Sequence, residues 1–388
     1  QIKNVVCDYI TQGLDVEIAR LKSEFDLYII SGGFWLTLGQ VISSGSSFLL
    51  SIAFANFLPK EVYGEYKYII SLFGLLGALS LSGLGTSVTG SSARGYDGVL
   101  KKSFLLCLKW GTLITVASSL LSIYYFINNN TTLGISLLIV GFISPFLYSS
   151  LFYKSFLNGK KEFRTLTIYG IFYNLIPVIC IILTILLTQK TVFIVSAYLF
   201  SNTIVSLCLF RHVLKRYSPN DSVDEKSISF GKHLSLVNTL DTIATYIDKV
   251  LLFHFQGGVD LAIYSFAVAV PEQIRSLLKM IPTLAIPKLS EKTHEQIHKT
   301  IYKKIAKIIL ITLPITLVYY FTAPYIYKFI FPEYIDSIVY SQVFILIILV
   351  EGGLPGAVFK AQMAVKESYI LNIVSNIIRI ALIVPFVW

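Results

Sequence analysis

Residues 166–188 read LTIYGIFYNLIPVICIILTILLT, a stretch that contains no charged side chain. At about 1.5 Å per residue, a helix of roughly 20 apolar residues crosses the hydrocarbon core of a lipid bilayer, which is about 30 Å thick. A helix that is apolar on every side is typical of a membrane span or of the centre of a large core. The stretch therefore predicts a membrane-spanning helix.

The rest of the chain has the same character. Of its 388 residues, 55% are hydrophobic and only 14% are charged, whereas soluble proteins contain about 25% charged residues. The mean hydropathy is +0.71. The sequence predicts eleven spans, at residues 33–57, 68–90, 104–127, 133–156, 166–188, 191–210, 233–255, 261–286, 306–324, 337–358 and 368–388. We therefore expect an all-α, polytopic transmembrane bundle in a cell membrane.

The basic residues predict the orientation of the bundle. Cytoplasmic loops of membrane proteins are rich in Lys and Arg, and most basic residues here fall in the loops on one side of the predicted spans. The loops on the other side hold only Lys60, Lys67, Lys190 and Lys328. This asymmetry predicts a cytoplasmic N-terminus. Because the net charge of +10 is spread over short loops, it does not indicate a nucleic-acid partner.

A polar stretch divides the spans into groups of six and five. We expect a cytoplasmic or juxtamembrane segment at 1–31, a first lobe at 32–212, a cytoplasmic linker at 213–232 and a second lobe at 233–388. The two halves match at an offset near 198 residues, which places the segment 64–66 on 262–264 and the segment 174–176 close to 376–378. The sequence thus predicts two pseudo-symmetric six-helix lobes, with at least one helix expected after Trp388.

Short motifs near the predicted spans resemble a known family. In the first half they are Phe34-Trp35, FLPKEVYGEY at 57–66, Gly83-Leu84-Gly85 and Ala93-Arg94; in the second half they are YIDK at 246–249, Gly257-Gly258 and Tyr264. These motifs are similar to those of the polysaccharide and oligosaccharide flippases (Wzx-type, O-antigen repeat-unit) of the multidrug/oligosaccharidyl-lipid/polysaccharide exporter superfamily. Two departures are the eleven spans and Lys249, which stands where the family often has Arg.

The resemblance implies a bundle of twelve or more helices in two lobes around a cavity. It also implies transport of undecaprenyl-pyrophosphate-linked sugar units from the inner to the outer leaflet by alternating access, for surface polysaccharide biosynthesis. The expected partners are the lipid-linked oligosaccharide and membrane lipids, together with a polysaccharide polymerase and chain-length machinery as further candidates.

The seventh predicted span carries polar side chains along one face. A charge at the bilayer centre costs about 2.5–3.5 kcal/mol, so charged residues in spans are expected to face a cavity or a partner. The face holds residues three and four positions apart: Asn238, Asp241, Thr245 and Asp248. Carboxylates and hydroxyls bind hard cations, which predicts a coupling-ion site. Hydrogen bonds between helices, or an ion pair of Asp248 with Lys249, are the alternatives.

The eighth predicted span places Glu272, Arg275 and Lys279 on one face. Arg binds phosphate oxygens through paired hydrogen bonds and Lys binds them as a point charge. Arg275 and Lys279 are therefore predicted to bind a lipid pyrophosphate. The alternative is an ion pair within the helix between Glu272 and Arg275, with Lys279 extending toward the cytoplasm.

Two further charges fall in the tenth and eleventh spans. Arg379 lies near the middle of the eleventh span, and Glu351 lies on the tenth at a comparable depth. They are interpreted either as an ion pair or as substrate-binding groups. The complete prediction assigns pyrophosphate binding to Lys249, Arg275, Lys279 and Arg379, and ion coupling to Asp241, Asp248, Glu272 and Glu351.

Other functions remain as alternatives at this stage. No catalytic or metal-binding motif is present in the sequence, so no catalytic residue, metal or cofactor is predicted. A multidrug or peptidoglycan-precursor exporter would have the same architecture, although the first span lacks an acidic residue for cation coupling. A membrane glycosyltransferase or polymerase would need a sizeable outer domain, whereas the predicted outer loops have about a dozen residues or fewer. The short loops favour a transporter.

Overall fold

The structure, a computed structural model, describes residues 33–278, 294–350 and 373–377. These ranges are helical apart from short turns. The helices are α1 Gly33–Phe57, α2 Lys60–Leu76, α3 Leu84–Ala93, α4 Gly98–Ile127, α5 Thr131–Ser150, α6 Phe152–Gly159, α7 Phe163–Leu187, α8 Thr191–Tyr217, α9 Glu225–Gln256, α10 Gly258–Leu278, α11 His294–Ile330 and α12 Ser337–Val350. Residues 373–377 are also helical.

The helices in the described ranges follow the predicted spans in order. Six helical segments are long and apolar enough to cross a membrane: α1, α4, α5 with α6, α7, α8 and the apolar part of α11. The pair α2 and α3, bent by 59°, adds a seventh if it forms one span. The helices α9 and α10 fall where spans were predicted and carry the charged residues described below. The all-α bundle is therefore confirmed.

Side chains are distributed as in a membrane protein, with small polar residues inside and large apolar residues outside. Ser118 and Ser122 of α4 are fully buried, and each donates a hydrogen bond to a carbonyl of α5, at 2.6 Å and 2.7 Å. By contrast, the side chains of Ile127 and Leu187 are 74% and 87% exposed. Helices in lipid pack through small residues and satisfy every polar group internally, so this arrangement fits a lipid environment.

The second predicted span differs from the prediction, because it begins earlier and is broken. It was expected as one helix over 68–90, but α2 begins at Lys60 and a break separates it from α3. The break falls in the sequence GALSLSG at 77–83, where glycine and serine favour turns over a helix interior. The break leaves the Ser80 carbonyl without a partner in a regular helix, and this carbonyl accepts a hydrogen bond from Cys107 Sγ at 3.0 Å. Lys67, expected in an outer loop, is thus part of α2.

The end of the bundle that contains residues 57–60, 188–190, 257 and 331–336 is the one expected to face outside, and it is called the outer end here. Its helices are in close contact. Tyr63 packs against Phe266 with ring centroids 4.7 Å apart, and Phe266 packs against Tyr334 at 3.9 Å. A Cβ atom placed on Gly64 would lie 1.9 Å from the Gly258 carbonyl oxygen. The backbones of α2 and α10 therefore touch, which closes the outer end.

Below this contact, α9 packs along the whole of α2 and α3. Tyr68 stacks on Phe253 with ring centroids 3.9 Å apart. Nearer the inner end, the backbone N–H of Gly83 donates a hydrogen bond to Ser235 Oγ at 3.0 Å. One face of the second half of the chain is thus fixed to the first half from the outer end to the inner end.

The connection between the two halves is shorter than the predicted linker at 213–232. The helix α8 continues to Tyr217 and α9 begins at Glu225, so only residues 218–224 connect them. Basic side chains at the inner end of the first half hold this segment: Arg94 pairs with Asp224 at 2.8 Å, and Lys101 pairs with Asp221 at 3.2 Å. The segment 218–224, called the strap below, is therefore bound to the first half, because its acidic residues pair with cations expected on the cytoplasmic side.

Ser218 ends α8 in a left-handed backbone conformation, with φ 41° and ψ 60°. Glycine adopts this region at helix ends without the cost that a Cβ atom imposes. We expect Ser218→Gly to raise the free energy of unfolding by about 1 kcal/mol, measured by thermal unfolding in detergent. Ser218→Ala is the matched control, since it loses the same hydroxyl and keeps the Cβ atom. Equal melting temperatures for the two variants would contradict the assignment of strain to this position.

Candidate functional site

The polar face predicted on the seventh span lies on α9, and its inner part borders a small cavity. The cavity is lined by Val237, Asn238, Leu240, Asp241, Ile373 and Asn376. Asn376 Nδ2 donates a hydrogen bond to Asp241 Oδ1 at 3.5 Å. Asp241 is otherwise exposed, so its carboxylate has the room and the oxygen atoms to bind a proton or a hydrated cation.

Asp248 lies two helical turns further along α9 and is held by two neighbours. Tyr264 of α10 donates its hydroxyl hydrogen bond to Asp248 Oδ2 at 2.7 Å. Lys249 Nζ lies 3.7 Å from Asp248 Oδ1, and the two side chains are 25% and 12% exposed. Lys249 Nζ also donates a hydrogen bond to the Thr245 carbonyl at 3.1 Å. The ion pair that the sequence left as an alternative is therefore formed.

Lys67 of α2 is the cation that faces this group across the seam between α2 and α9. It lies seven residues into α2 and is half-buried, with Nζ 5.3 Å from the centroid of the Tyr63 ring. The helices α2 and α9 pack against each other beside it, with Tyr68 stacked on Phe253, and the like charges of Lys67 and Lys249 repel each other. Within the described ranges, Lys67 makes no ion pair with a carboxylate. Lys67, Lys249 and Asp248 are called the seam site below.

The seam site carries a net positive charge, because its two ammonium groups outnumber its one carboxylate, which pairs with Lys249 alone. Charged groups at membrane depth are costly unless they are paired. An anionic ligand would supply the missing negative charge. The geometry thus favours anion binding directly beneath the closed outer end.

The helix α10 overlaps the eighth predicted span, and the structure describes part of the predicted set of charged residues there. Arg275 Nη1 donates a hydrogen bond to Glu272 Oε2 at 2.8 Å. The pair within the helix that the sequence left open is therefore formed, and Arg275 has its own counter-charge. Lys279, Glu351 and Arg379 lie outside the described residues.

The sequence analysis missed two lysines. Lys67 was counted with the outer loops. Lys154 was counted with the inner loops, although it lies two residues before the end of the predicted span 133–156. The structure places Lys154 on α6, half-buried, with Nζ 3.6 Å from the centroid of the Tyr173 ring on α7. An available signal was the aromatic residue four positions before Lys67, since Tyr63 lies on the same helical face.

Comparison with known proteins identifies the family. A family model described as "Polysaccharide biosynthesis protein" matches residues 29–293, which is well over half of the chain. The chain belongs to this family. The resemblance to polysaccharide flippases seen in the motifs is thereby confirmed at the level of the family. No curated protein sequence matches the chain.

Solved structures with the same fold are transporters of the MOP superfamily. An inward-facing multidrug resistance MATE family transporter aligns with a TM-score of 0.68 at 16% identity, over 88% of each chain. The outward-facing conformation of a transporter of that family aligns with a TM-score of 0.61 at 16% identity, over 89% of this chain and 84% of that one. A MOP superfamily transporter from Pyrococcus furiosus, described as having a binding pocket of reverse polarity, gives 0.61 at 15% identity, over 88% and 84%. At these identities the similarity establishes the fold.

The chain is therefore an integral membrane protein with a transporter fold. Its family and fold are those of a transporter rather than of an enzyme. The seam site lies in this bundle and contains residues of both halves, Lys67 from α2 and Asp248 and Lys249 from α9.

Proposed function

We propose that the protein moves undecaprenyl-pyrophosphate-linked oligosaccharide units from the inner to the outer leaflet of the cell membrane for surface polysaccharide biosynthesis. The observation that carries the proposal is the charge balance of the seam site. Lys67 and Lys249 exceed Asp248 by one positive charge at membrane depth. Membership of a polysaccharide biosynthesis family supports a sugar-linked substrate.

A pyrophosphate headgroup has the chemistry that this site needs. It brings two or more negative charges and several acceptor oxygens, and ammonium groups bind such oxygens through strong charge-assisted hydrogen bonds. The interaction is stronger in a site of low dielectric constant than in water. Arg275, Lys279 and Arg379 remain proposed contacts at other stages of the path. Because Arg275 pairs with Glu272 in the structure, it would have to break this ion pair before it could bind a phosphate.

Alternating access follows from the closed outer end. A headgroup at the seam site lies beneath the contact between α2 and α10, so release to the outer leaflet requires these helices to separate. The aromatic cluster around Tyr63 and Phe266 holds them together. Since the strap at 218–224 and α9 are fixed to the first half, the separation is expected to begin at the outer end.

Ion coupling is proposed for the carboxylates at Asp241, Asp248, Glu272 and Glu351. Of these, Asp241 has the most suitable surroundings, because its carboxylate borders the small cavity and accepts one weak hydrogen bond. Asp248 accepts a hydrogen bond from Tyr264 and pairs with Lys249, so a cation bound at Asp248 would act on a lysine that is proposed to hold the substrate.

The proposal is tested by a leaflet-accessibility assay in proteoliposomes. The purified protein is reconstituted with a fluorescent polyprenyl-pyrophosphate disaccharide, and the outward-exposed fraction is measured over time with and without proton and sodium gradients. Accumulation that depends on the protein is the expected result. Export of a cationic dye with no movement of the lipid would overturn the proposal in favour of a multidrug exporter. Polymerase and chain-length machinery remain proposed partners, to be tested by co-purification.

A further inference from the structure

A short turn of the second half packs onto the first half at the outer end. The helix α11 ends at Ile330, and residues Pro332–Tyr334 form a single 3-10 turn before α12. Phe331 and Tyr334 are fully buried, whereas the residues at 332, 333, 335 and 336 are exposed. The turn therefore lies at the surface of the outer end and places two aromatic side chains inside it.

The first half caps the end of α11. The last carbonyl groups of a helix have no partner within that helix. Asn56 of α1 supplies one, because its Nδ2 donates a hydrogen bond to the Ile330 carbonyl at 3.1 Å and another to the Ile52 carbonyl of its own helix at 2.9 Å. Lys60 Nζ also lies 3.8 Å from Asp336 Oδ2. An ion pair this exposed contributes little, so the capping hydrogen bond is the stronger polar link between the halves at this turn.

Tyr334 lies between the two halves, and its hydroxyl group is buried. Its ring centroid is 3.9 Å from that of Phe266 on α10 and 6.2 Å from that of Tyr63 on α2. Within the part of the chain that the structure describes, the Tyr334 hydroxyl has no hydrogen-bond partner. A buried hydroxyl without a partner raises the free energy of the conformation that buries it, because its bonds to water are lost. The Tyr334 ring thus favours closure, while its hydroxyl opposes closure.

We propose that Tyr334 is a gating residue whose hydroxyl group favours opening of the outer end, and that the Asn56 cap opposes this opening. When the turn separates from α2, water reaches the Tyr334 hydroxyl and restores its hydrogen bonds. The same movement breaks the bond from Asn56 to the Ile330 carbonyl. The two effects have opposite signs, so this turn balances the closed conformation against the open one. The inference concerns the gate and goes beyond the choice of substrate.

The accessibility of a cysteine at the outer end tests the proposal without any substrate. Ala262 of α10 is fully buried, so Ala262→Cys should react with a membrane-impermeant thiol reagent when the outer end opens. The labelling rate is the increase over the same protein without the added cysteine. In this background, Tyr334→Phe is expected to lower the rate about tenfold and to raise the melting temperature, because closure no longer buries an unpaired hydroxyl. Asn56→Ala is expected to raise the rate about threefold.

Two variants are matched controls. Tyr327→Phe removes a buried hydroxyl that donates a hydrogen bond to the Phe266 carbonyl at 2.8 Å, within the second half. It should lower the melting temperature and leave the labelling rate unchanged. Asn128→Ala removes an amide that bonds a carbonyl of its own helix, and it should also leave labelling unchanged. Labelling of Tyr334→Phe at or above the parent rate would overturn the gating role of the hydroxyl. Equal labelling of Asn56→Ala and Asn128→Ala would overturn the role of the cap.

Discussion

Replacing either Lys67 or Lys249 with Gln is expected to lower the rate of lipid-linked oligosaccharide translocation by about 30-fold or more. Each substitution leaves one ammonium group and one carboxylate in the seam site, so its net positive charge disappears. Loss of one charge-assisted contact to a buried phosphate is worth about 2–3 kcal/mol, which corresponds to this factor. The measurement is the initial rate in the leaflet-accessibility assay at limiting substrate.

Lys67→Gln is expected to be at least as stable as the wild-type protein. It removes a half-buried charge that repels a neighbouring ammonium group, so the melting temperature in detergent should be unchanged or higher. Lys249→Gln also breaks the ion pair with Asp248, so it is expected to lower the melting temperature. Lys190→Gln, at an exposed position of the outer end, is the control and should leave transport unchanged. Normal transport by both seam variants would remove the assignment. A loss of stability in Lys67→Gln that parallels its loss of transport would show that this lysine is structural.

Gly64→Ala is expected to lower transport by about tenfold, because the outer end can no longer close. The added Cβ atom would lie 1.9 Å from the Gly258 carbonyl oxygen and 2.7 Å from Gly258 Cα. Backbone atoms cannot rotate away as a flexible side chain does, so α2 and α10 must separate. Forced overpacking of this kind costs about 1–3 kcal/mol, and here that cost falls on the closed conformation.

The outer end of this variant should also become accessible to water. Ala262, one turn after Gly258, is fully buried, so a cysteine at this position reports on the closure. We expect Ala262→Cys to react with a membrane-impermeant thiol reagent faster when it is combined with Gly64→Ala. Gly90→Ala is the control, since a Cβ atom on Gly90 meets nothing within 4 Å. Equal labelling in the two backgrounds would show that Gly64 does not control closure.

The helices could be predicted because a membrane span can be recognised from the apolar composition of a short stretch of sequence. Stretches such as 166–188 have no charge for the full width of a bilayer, and the helix α7 lies over that range. The break between α2 and α3 was not predicted, because a window of about 20 residues averages over the three glycines at 77, 83 and 85. It depends on tertiary contacts, such as the hydrogen bond from Gly83 to Ser235.

The candidate site was harder to predict than the fold. Asp248 and Lys249 were marked by their depth, but their pairing was only one alternative, because neighbours on a helix point in different directions. The structure forms the pair because Asp248 is anchored by Tyr264 and Lys249 folds back to the Thr245 carbonyl. Lys67 was missed because loop boundaries are uncertain by several residues, and a shift of that size turns a loop lysine into a buried one.

Direct binding of pyrophosphate to the seam site tests the central claim. The dissociation constants of polyprenyl pyrophosphate and polyprenyl monophosphate are measured for the purified protein in detergent and for the double variant Lys67→Gln, Lys249→Gln. The net positive charge of the site predicts that the wild-type protein binds the pyrophosphate about tenfold more tightly than the monophosphate, and that the double variant shows no such preference. An unchanged preference in the double variant would contradict the claim that these two lysines bind the headgroup.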